Sequence, residues 1–474
     1  MVKPPAHGDS FRSLTENGDN HKSFKHDIMK TVKTLFGVII FACLSMGVEA
    51  QENHNKTEIA KHAISHEKLL ERLLKYLSVE SYSKYDNINN TWTMTPGQEE
   101  MATLLAEEAK KLGAEVYHSP DNYVYVTVQS NLDYEVPTVG ISCHLDYSEE
   151  APSENITPIV TRYKGGDIEL SPGIILSPDT KEGRDLNTLV GKTIIHTDGT
   201  TLLGGDCKNG CAASMSILET LLKSDIKHGK VQFVWCPNED IGKSAERIDT
   251  AYFKPEIFYD LDGEGNKEVG VANFTARGLI IRFTGKYAHP GEAKAMGLGD
   301  ALAAACQLVS AIPLDCRPEH SEGTQGYMQA YGFIQEGIDW CVKLRLRYFD
   351  VADGERYDMI IKNALESIKR DHPNVGIKIA MDNIEYENVA YSLHSECLPS
   401  LMKAASSMGK ELDLLSNRGG TTAAMMAAKG LRGGLVVFSG QHAIHSVYEY
   451  SVLEEIHDIY MLMLNTIDEV SRLR

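Results

Sequence analysis

Three short apolar runs in this chain each end in residues that can carry charge. TVGISC at 138–143 runs into His144-Leu145-Asp146. KVQFVWC at 230–236 runs into Pro237-Asn238-Glu239-Asp240, and EIFYDL at 256–261 into Asp262-Gly263. Continuous apolar runs of this length read as strands covered on both faces, as in an α/β sheet. In open sheets of that kind, ligands bind outside the carboxyl ends of the strands. The pattern therefore predicts that His144, Asp146, Glu239, Asp240 and Asp262 gather along one edge of one sheet.

The intervening segments have helical character. Leu69, Leu70, Leu73, Leu74 and Leu77 fall on one face of HEKLLERLLKYLSV. A second helix opens at Pro96 and stops at Gly113, with Met101, Leu104, Leu105 and Leu112 in register. Residues 122–129 (NYVYVTVQ) alternate as a strand, and 211–222 read as a helix. Near Ala272 the character changes. Residues 274–382 contain a strand (278–285), a helix (300–312), a strand (340–349) and a helix (355–369), which reads as a smaller α+β domain inserted into the first. The α/β pattern resumes with a strand at 434–438 and a terminal helix at 453–467. The chain of 474 residues thus divides into a leader (1–50), a main domain (51–273 with 383–474) and the insert (274–382).

The leader reads as a signal peptide beginning near Met29. Lys30 and Lys33 are basic, residues 35–48 are apolar, and Val48-Glu49-Ala50 offers small residues for cleavage before Gln51. The expected location is outside the cytoplasm, secreted or in the periplasm or envelope. A leader that does not function would leave the protein cytoplasmic, and one that is retained or lipidated would make a membrane its partner. The formal net charge of −19 argues against a nucleic-acid partner. Of nine cysteines one lies in the leader, and the other eight are too scattered for a disulfide scaffold.

TLLGGDCKNGC at 201–211 poses a choice. Cys207 and Cys211 suggest a soft-metal site, whereas Asp206 is a hard ligand. Thiolate zinc sites are usually closed sets of three or four cysteines and histidines, and only two cysteines are near. Carboxylates and imidazoles suit divalent ions, and the candidates are His144, Asp206, Asp240, Asp262 and His445. Each alone has an ordinary reading. His144-Leu145-Asp146 could be a capping pair, Glu239-Asp240 a solvated loop, Asp262-Gly263 a turn and His445 a loop histidine. Their recurrence at strand ends is what distinguishes them.

From about Lys68 to the C-terminus the chain resembles the peptidase T family, tripeptide aminopeptidases within the wider class of co-catalytic zinc peptidases and deacylases. The resemblance lies in HLD (144–146), PIVTRYKGGDIEL (158–170), LSP (176–178), TDGTTLLGGDCKNG (197–210), PNEDIGK (237–243), DLDG (260–263), HPGEAK (289–294), RYFD (347–350), RGGTT (418–422) and HSVYE (445–449). It implies a catalytic domain with a central mixed sheet flanked by helices, and an insert of the lid or dimerisation type, which leaves a homodimer open. It implies two zinc ions per chain. His144 and Asp262 would bind one, Asp240 and His445 the other, and Asp206 would bridge them. Asp146 would orient His144, and Glu239 would be the general base towards a metal-bridging water. His289 would stabilise the oxyanion, and Arg347 and Arg418 would hold the substrate carboxylate. The implied activity is release of the N-terminal residue of short peptides. The rivals are a related dipeptidase, carboxypeptidase or deacylase, and a peptide-binding relative without catalysis. Three positions depart from the family pattern: Tyr147 replaces a threonine, Asn238 an acid, and Thr422 an aspartate. Cys207 also stands where the family usually has an aspartate.

Overall fold

Val231–Cys236, Val139–His144, Ile257–Glu264 and Leu435–His442 lie side by side in that spatial order, all parallel, in the computed structural model. The model describes residues 49–86 and 91–473. The four strands form the centre of an eleven-stranded sheet. Antiparallel strands extend it on both sides, Val124–Val128 next to the Cys236 strand and Tyr450–Val452 next to the Leu435–His442 strand. The sheet is therefore mixed, as expected. All of Val139–His144 is buried, as are the first five residues of Ile257–Glu264, which is why these runs carry no polar alternation. The chain passes from the His144 strand to one side and later to the other. That reversal opens a crevice at the carboxyl ends of the central strands.

Helices Gly205–Lys223 and Leu453–Ser471 pack together in the largest core, with Leu218, Met215, Ile459 and Met463 fully enclosed. The first is buried on nearly every side, so its sequence lacks a polar face. Two glycines allow its position. Gly204 has a left-handed backbone, φ 74°, at the helix start. A Cβ on Gly210 would stand 2.3 Å from the carbonyl oxygen of Leu261. The helix thus lies directly against the strand that carries Asp262. Asp206 and Cys207 have non-helical dihedrals, and regular helix begins at Lys208.

Residues 275–386 supply a separate four-stranded antiparallel sheet, ordered Tyr327–Glu336, Asp339–Tyr348, Thr275–Thr284, Gly376–Tyr386. Helices Ala301–Ser310 and Val351–Asp371 cover it, and Leu279, Ile281, Phe283, Leu308, Leu344 and Ile361 form its own core. Sequence periodicity predicts the two central strands and both helices. It misses the two edge strands. Register shifts interrupt each of them, between Ala330 and Gly332 in one and opposite Ile280 and Ile281 in the other, and much of their length is exposed. A bulge breaks the period of two on which strand recognition rests.

The leader expected at 29–50 lies outside the described residues, save Glu49 and Ala50 at the start of the helix Glu49–His62. No helix among the described residues is long and apolar enough to cross a membrane.

His442 closes the central strand Leu435–His442. It is buried, with Nε2 2.7 Å from Glu455 and Nδ1 3.3 Å from Asp185, and its ring stacks on Tyr450. Burial opposes its charge, but the hydrogen bonds it donates to Asp185 and Glu455 outweigh that and raise the imidazole to about 9. A histidine with a raised pKa stabilises the fold fully below its unfolded pKa of about 6.5, and that contribution fades as pH rises through the folded value. Replacing His442 with Leu should therefore destabilise the protein by about 3 kcal/mol near pH 6.5, since it removes the imidazolium that pairs with Asp185 and Glu455. Denaturant titrations at several pH values should show the gap to wild type narrowing towards pH 10.

Candidate metal centre

The four parallel strands deliver their polar ends to one place. His144 is the last residue of its strand, Asp240 lies four residues beyond Cys236, and Asp262 is near the end of Ile257–Glu264. His445 lies three residues beyond His442, with a left-handed backbone, φ 59°. Asp206 enters from the start of its helix and faces two ways. Its Oδ1 is 3.0 Å from His144 Nε2, and its Oδ2 is 3.1 Å from His445 Nε2. Asp262 Oδ1 is 3.2 Å from the same His144 nitrogen, and Asp240 Oδ1 is 2.9 Å from the same His445 nitrogen. The structure thus brings all five candidates into two triplets that share Asp206.

The electrostatics call for cations. Each imidazole nitrogen faces two carboxylates and can offer at most one proton. Asp240 Oδ2 and Asp262 Oδ1 are buried without a hydrogen-bond partner. Burial pushes the Asp240 carboxyl up to about 7 and that of Asp262 well above its ordinary range. Hydrogen bonds accepted by the Asp206 and Asp240 carboxylates raise His445 to about 11. Buried carboxylates at this density are stable only when protonated or matched by positive charge. Oxygen and imidazole donors in two triplets suit two divalent cations of borderline or hard character, so the residues fit such ions.

A further set of residues fixes these groups. Asp146 Oδ1 and Oδ2 accept the backbone N–H groups of Glu239 and Asp240 at 3.0 and 3.2 Å. His144 Nδ1 lies nearer the Asp146 carbonyl oxygen, at 3.1 Å, than its carboxylate, at 3.5 Å. Asp146 therefore orients the Glu239-Asp240 turn as much as the His144 ring. Glu449 is buried, and its carboxylate accepts N–H groups from Leu203, Gly204 and Asp206 at 2.9, 2.9 and 3.1 Å. Gln441 donates to Asp206 Oδ1 at 3.1 Å. Sequence reasoning assigned no role to either residue. Glu449 closes the quoted HSVYE motif, and that was the signal available.

The cysteines divide. Cys211 Sγ donates to the His144 carbonyl oxygen at 3.1 Å and belongs to no candidate ligand group. Cys207 lies closer than a bystander should. Its Sγ falls within the His144, Asp206 and Asp262 group, yet it donates to the Leu261 carbonyl oxygen at 2.7 Å. Burial, and next the Asp262 carboxylate, push its thiol well above the ordinary range.

Two of the departures have partners in the fold. Tyr147 is buried, its ring under the Lys208 ammonium and its hydroxyl donating to the Ser153 carbonyl. Asn238 has φ 59°, a conformation asparagine tolerates, and exchanges hydrogen bonds with Gln98.

His289, Arg347 and Arg418 have no hydrogen bond or ion pair to the five-residue cluster among the described residues. His289 is exposed and accepts the N–H of Gly291. Arg347 bonds the Leu346 carbonyl and Glu385. Arg418 donates to carbonyl oxygens of Ser321, Gly323 and Gln325 and to the Ser321 hydroxyl, and lies over the Phe274 ring. The Arg418 donors thus secure the 321–325 segment.

A chain with this sheet, this inserted domain and this paired cluster belongs to the peptidase family M20/M25/M40, whose model matches residues 197–469. Within that family its similarity runs to peptidase T. It is 33% identical to Peptidase T of Clostridium perfringens over 408 residues, covering 84% of this chain and 98% of the relative. It is 32% identical to Peptidase T of Caldanaerobacter subterraneus, covering 81% and 94% respectively. Among solved structures it resembles aminopeptidase PepT from Bacillus cereus, with a TM-score of 0.63 at 20% identity, covering 86% of this chain and all of that one. It also resembles a dinuclear metal-binding peptidase from Bacillus subtilis, with a TM-score of 0.55 at 11% identity, covering 86% and 99%.

Because both triplets share Asp206, Asp206→Ala should lose both metal ions together, whereas Cys211→Ala should keep them at some cost in stability. Metal per chain, measured on purified variants, decides this. One ion retained by Asp206→Ala would show that the triplets bind independently.

Proposed function

We propose that this chain is an aminopeptidase that binds two zinc ions and removes the N-terminal residue of short peptides, tripeptides foremost. The observation that carries the reading is the position of Asp206, with one carboxylate oxygen towards each histidine and Glu239 held beside them. The ions would be held by His144, Asp206 and Asp262 and by Asp206, Asp240 and His445. When bound they would polarise the scissile carbonyl and lower the proton affinity of the attacking water. Glu239 takes a proton from that water at its carboxylate and delivers it to the leaving amine. Its carboxyl is raised above the ordinary range by burial, which suits a group that both accepts and releases a proton. Asp146 fixes the turn on which the base sits. Arg347, on the inserted sheet, and Arg418 would hold the substrate carboxylate. His289 would stabilise the oxyanion from the inserted domain.

Purified protein loaded with zinc should hydrolyse tripeptides with a free N-terminus faster than dipeptides or tetrapeptides, and should leave N-acetylated tripeptides uncut. A preference for blocked peptides, or release of the C-terminal residue first, would point to the deacylase or carboxypeptidase reading. Glu239→Gln should retain metal and lower kcat by ~10²–10⁴-fold. Unchanged turnover in that variant would remove Glu239 from the mechanism.

We also propose cleavage of a leader after Ala50, on the strength of the basic, apolar and small-residue succession at 29–50. N-terminal sequencing of protein from the native host should read from Gln51. Cytosolic protein that begins upstream of Gln51 would overturn it.

A further inference from the structure

Glu239 needs more than a fixed backbone to act on a water molecule, because its carboxylate can still rotate. One side chain restrains it. The hydroxyl of Thr422 donates to Glu239 Oε1 at 3.0 Å. Thr422 is buried and opens the helix Thr422–Ala428, whose Ala423, Ala424 and Met426 are packed with Phe258 and Val389. Thr421 caps that helix by accepting the N–H of Ala424 at 3.1 Å. The hydroxyl therefore projects from a rigid element.

A second hydroxyl gives the hydrogen bond its direction. Ser244, fully buried, has its Oγ 2.8 Å from Thr422 Oγ1. A threonine hydroxyl has one proton. If Thr422 donates to Glu239, Ser244 must donate to Thr422. The order Ser244 to Thr422 to Glu239 satisfies each group and leaves Oε2 as the oxygen free to take a proton.

We propose that Thr422 is a positioning residue for the general base: its hydroxyl, oriented by Ser244, holds Glu239 Oε1 and presents Oε2 to the attacking water. The inference rests on the reading of Glu239 as the base. A neutral hydroxyl does this without bringing another charge beside the aspartates of the cluster. It restrains the carboxylate by a hydrogen bond that favours the ionised form.

The test compares kcat, KM, zinc per chain and melting temperature for Thr422→Val, Thr422→Ser and Ser244→Ala, each alone and combined with Glu239→Gln. Thr422→Val keeps the shape and removes the donor. It should lower kcat by roughly 10–100-fold, the scale of a misplaced catalytic group, with KM within about twofold and zinc unchanged. Thr422→Ser should restore most of the rate, and Ser244→Ala should lower kcat in the same direction by less. In the Glu239→Gln background the residual rate should not fall further with Thr422→Val. Full kcat in Thr422→Val would overturn the proposal, as would an equal fall in both backgrounds. Should Thr422→Val unfold, Ser244→Ala carries the test, and unchanged kcat there would count against the ordered pair. Near-normal turnover of Glu239→Gln by itself would instead remove the base reading, and this proposal with it.

Discussion

Asp206 has to place one carboxylate oxygen against each of two histidines that arrive from opposite sides of the central strands, and much of the fold serves that requirement. Its backbone leaves a left-handed glycine, passes through two non-helical residues and only then enters a helix. The helix must lie close enough to the Asp262 strand that position 210 carries no side chain. A buried acid, Glu449, accepts three N–H groups of the approach loop and so fixes its backbone. The cost is a buried surplus of carboxylates that protons or divalent cations must offset. Any divalent cation held there would for that reason couple its binding to folding of this region.

The sheet supplies the rest of the geometry. Neighbouring strands in a parallel sheet lie about 4.8 Å apart, and their carboxyl ends share one edge. Groups placed just beyond each end are thus automatically near one another, while the loops that carry them stay short and anchored. The turn after Cys236 is the exception, because it must present Glu239 and Asp240 on adjacent residues with different tasks. Asp146 resolves this by taking both backbone N–H groups in one bidentate grip. The inserted sheet has its own core, and neither His289 nor Arg347, the two nominated residues of the insert, forms a hydrogen bond to the cluster among the described residues.

How much of this was legible in the sequence follows from the range of the interactions. The central strands announced themselves because burial on both faces makes them uniformly apolar, and the candidate ligands because they stand at strand ends. The edge strands Tyr327–Glu336 and Gly376–Tyr386 did not, because bulges and exposure erase the alternation. Gln441 and Ser244 were silent, and Glu449 was marked only by closing HSVYE, for another reason. Glu449 meets Leu203 across 246 positions, and Ser244 meets Thr422 across 178. No local periodicity encodes such pairs. The contacts of Arg418 were silent in a related way: a guanidinium suits a carboxylate and equally suits backbone carbonyls, and the fold shows it on those of Ser321, Gly323 and Gln325.

The positions that depart from the family pattern bear on whether the site still works. A centre drifting out of use would be expected to leave its altered residues unpartnered, or its ligands displaced. Asn238 instead exchanges two hydrogen bonds with Gln98, Tyr147 lies under Lys208, and Thr422 binds both Ser244 and Glu239. These three side chains lie beside the machinery, while Cys207, the fourth departure, falls within the His144, Asp206 and Asp262 group but donates to the Leu261 carbonyl oxygen. Substituting an uncharged hydroxyl for an acid at 422 also removes one negative charge from the neighbourhood of Glu239. That reduces the electrostatic burden of a cluster already rich in carboxylates. The departures therefore read as compensated changes around an intact centre, and they favour an active enzyme over a relative that has kept only the fold.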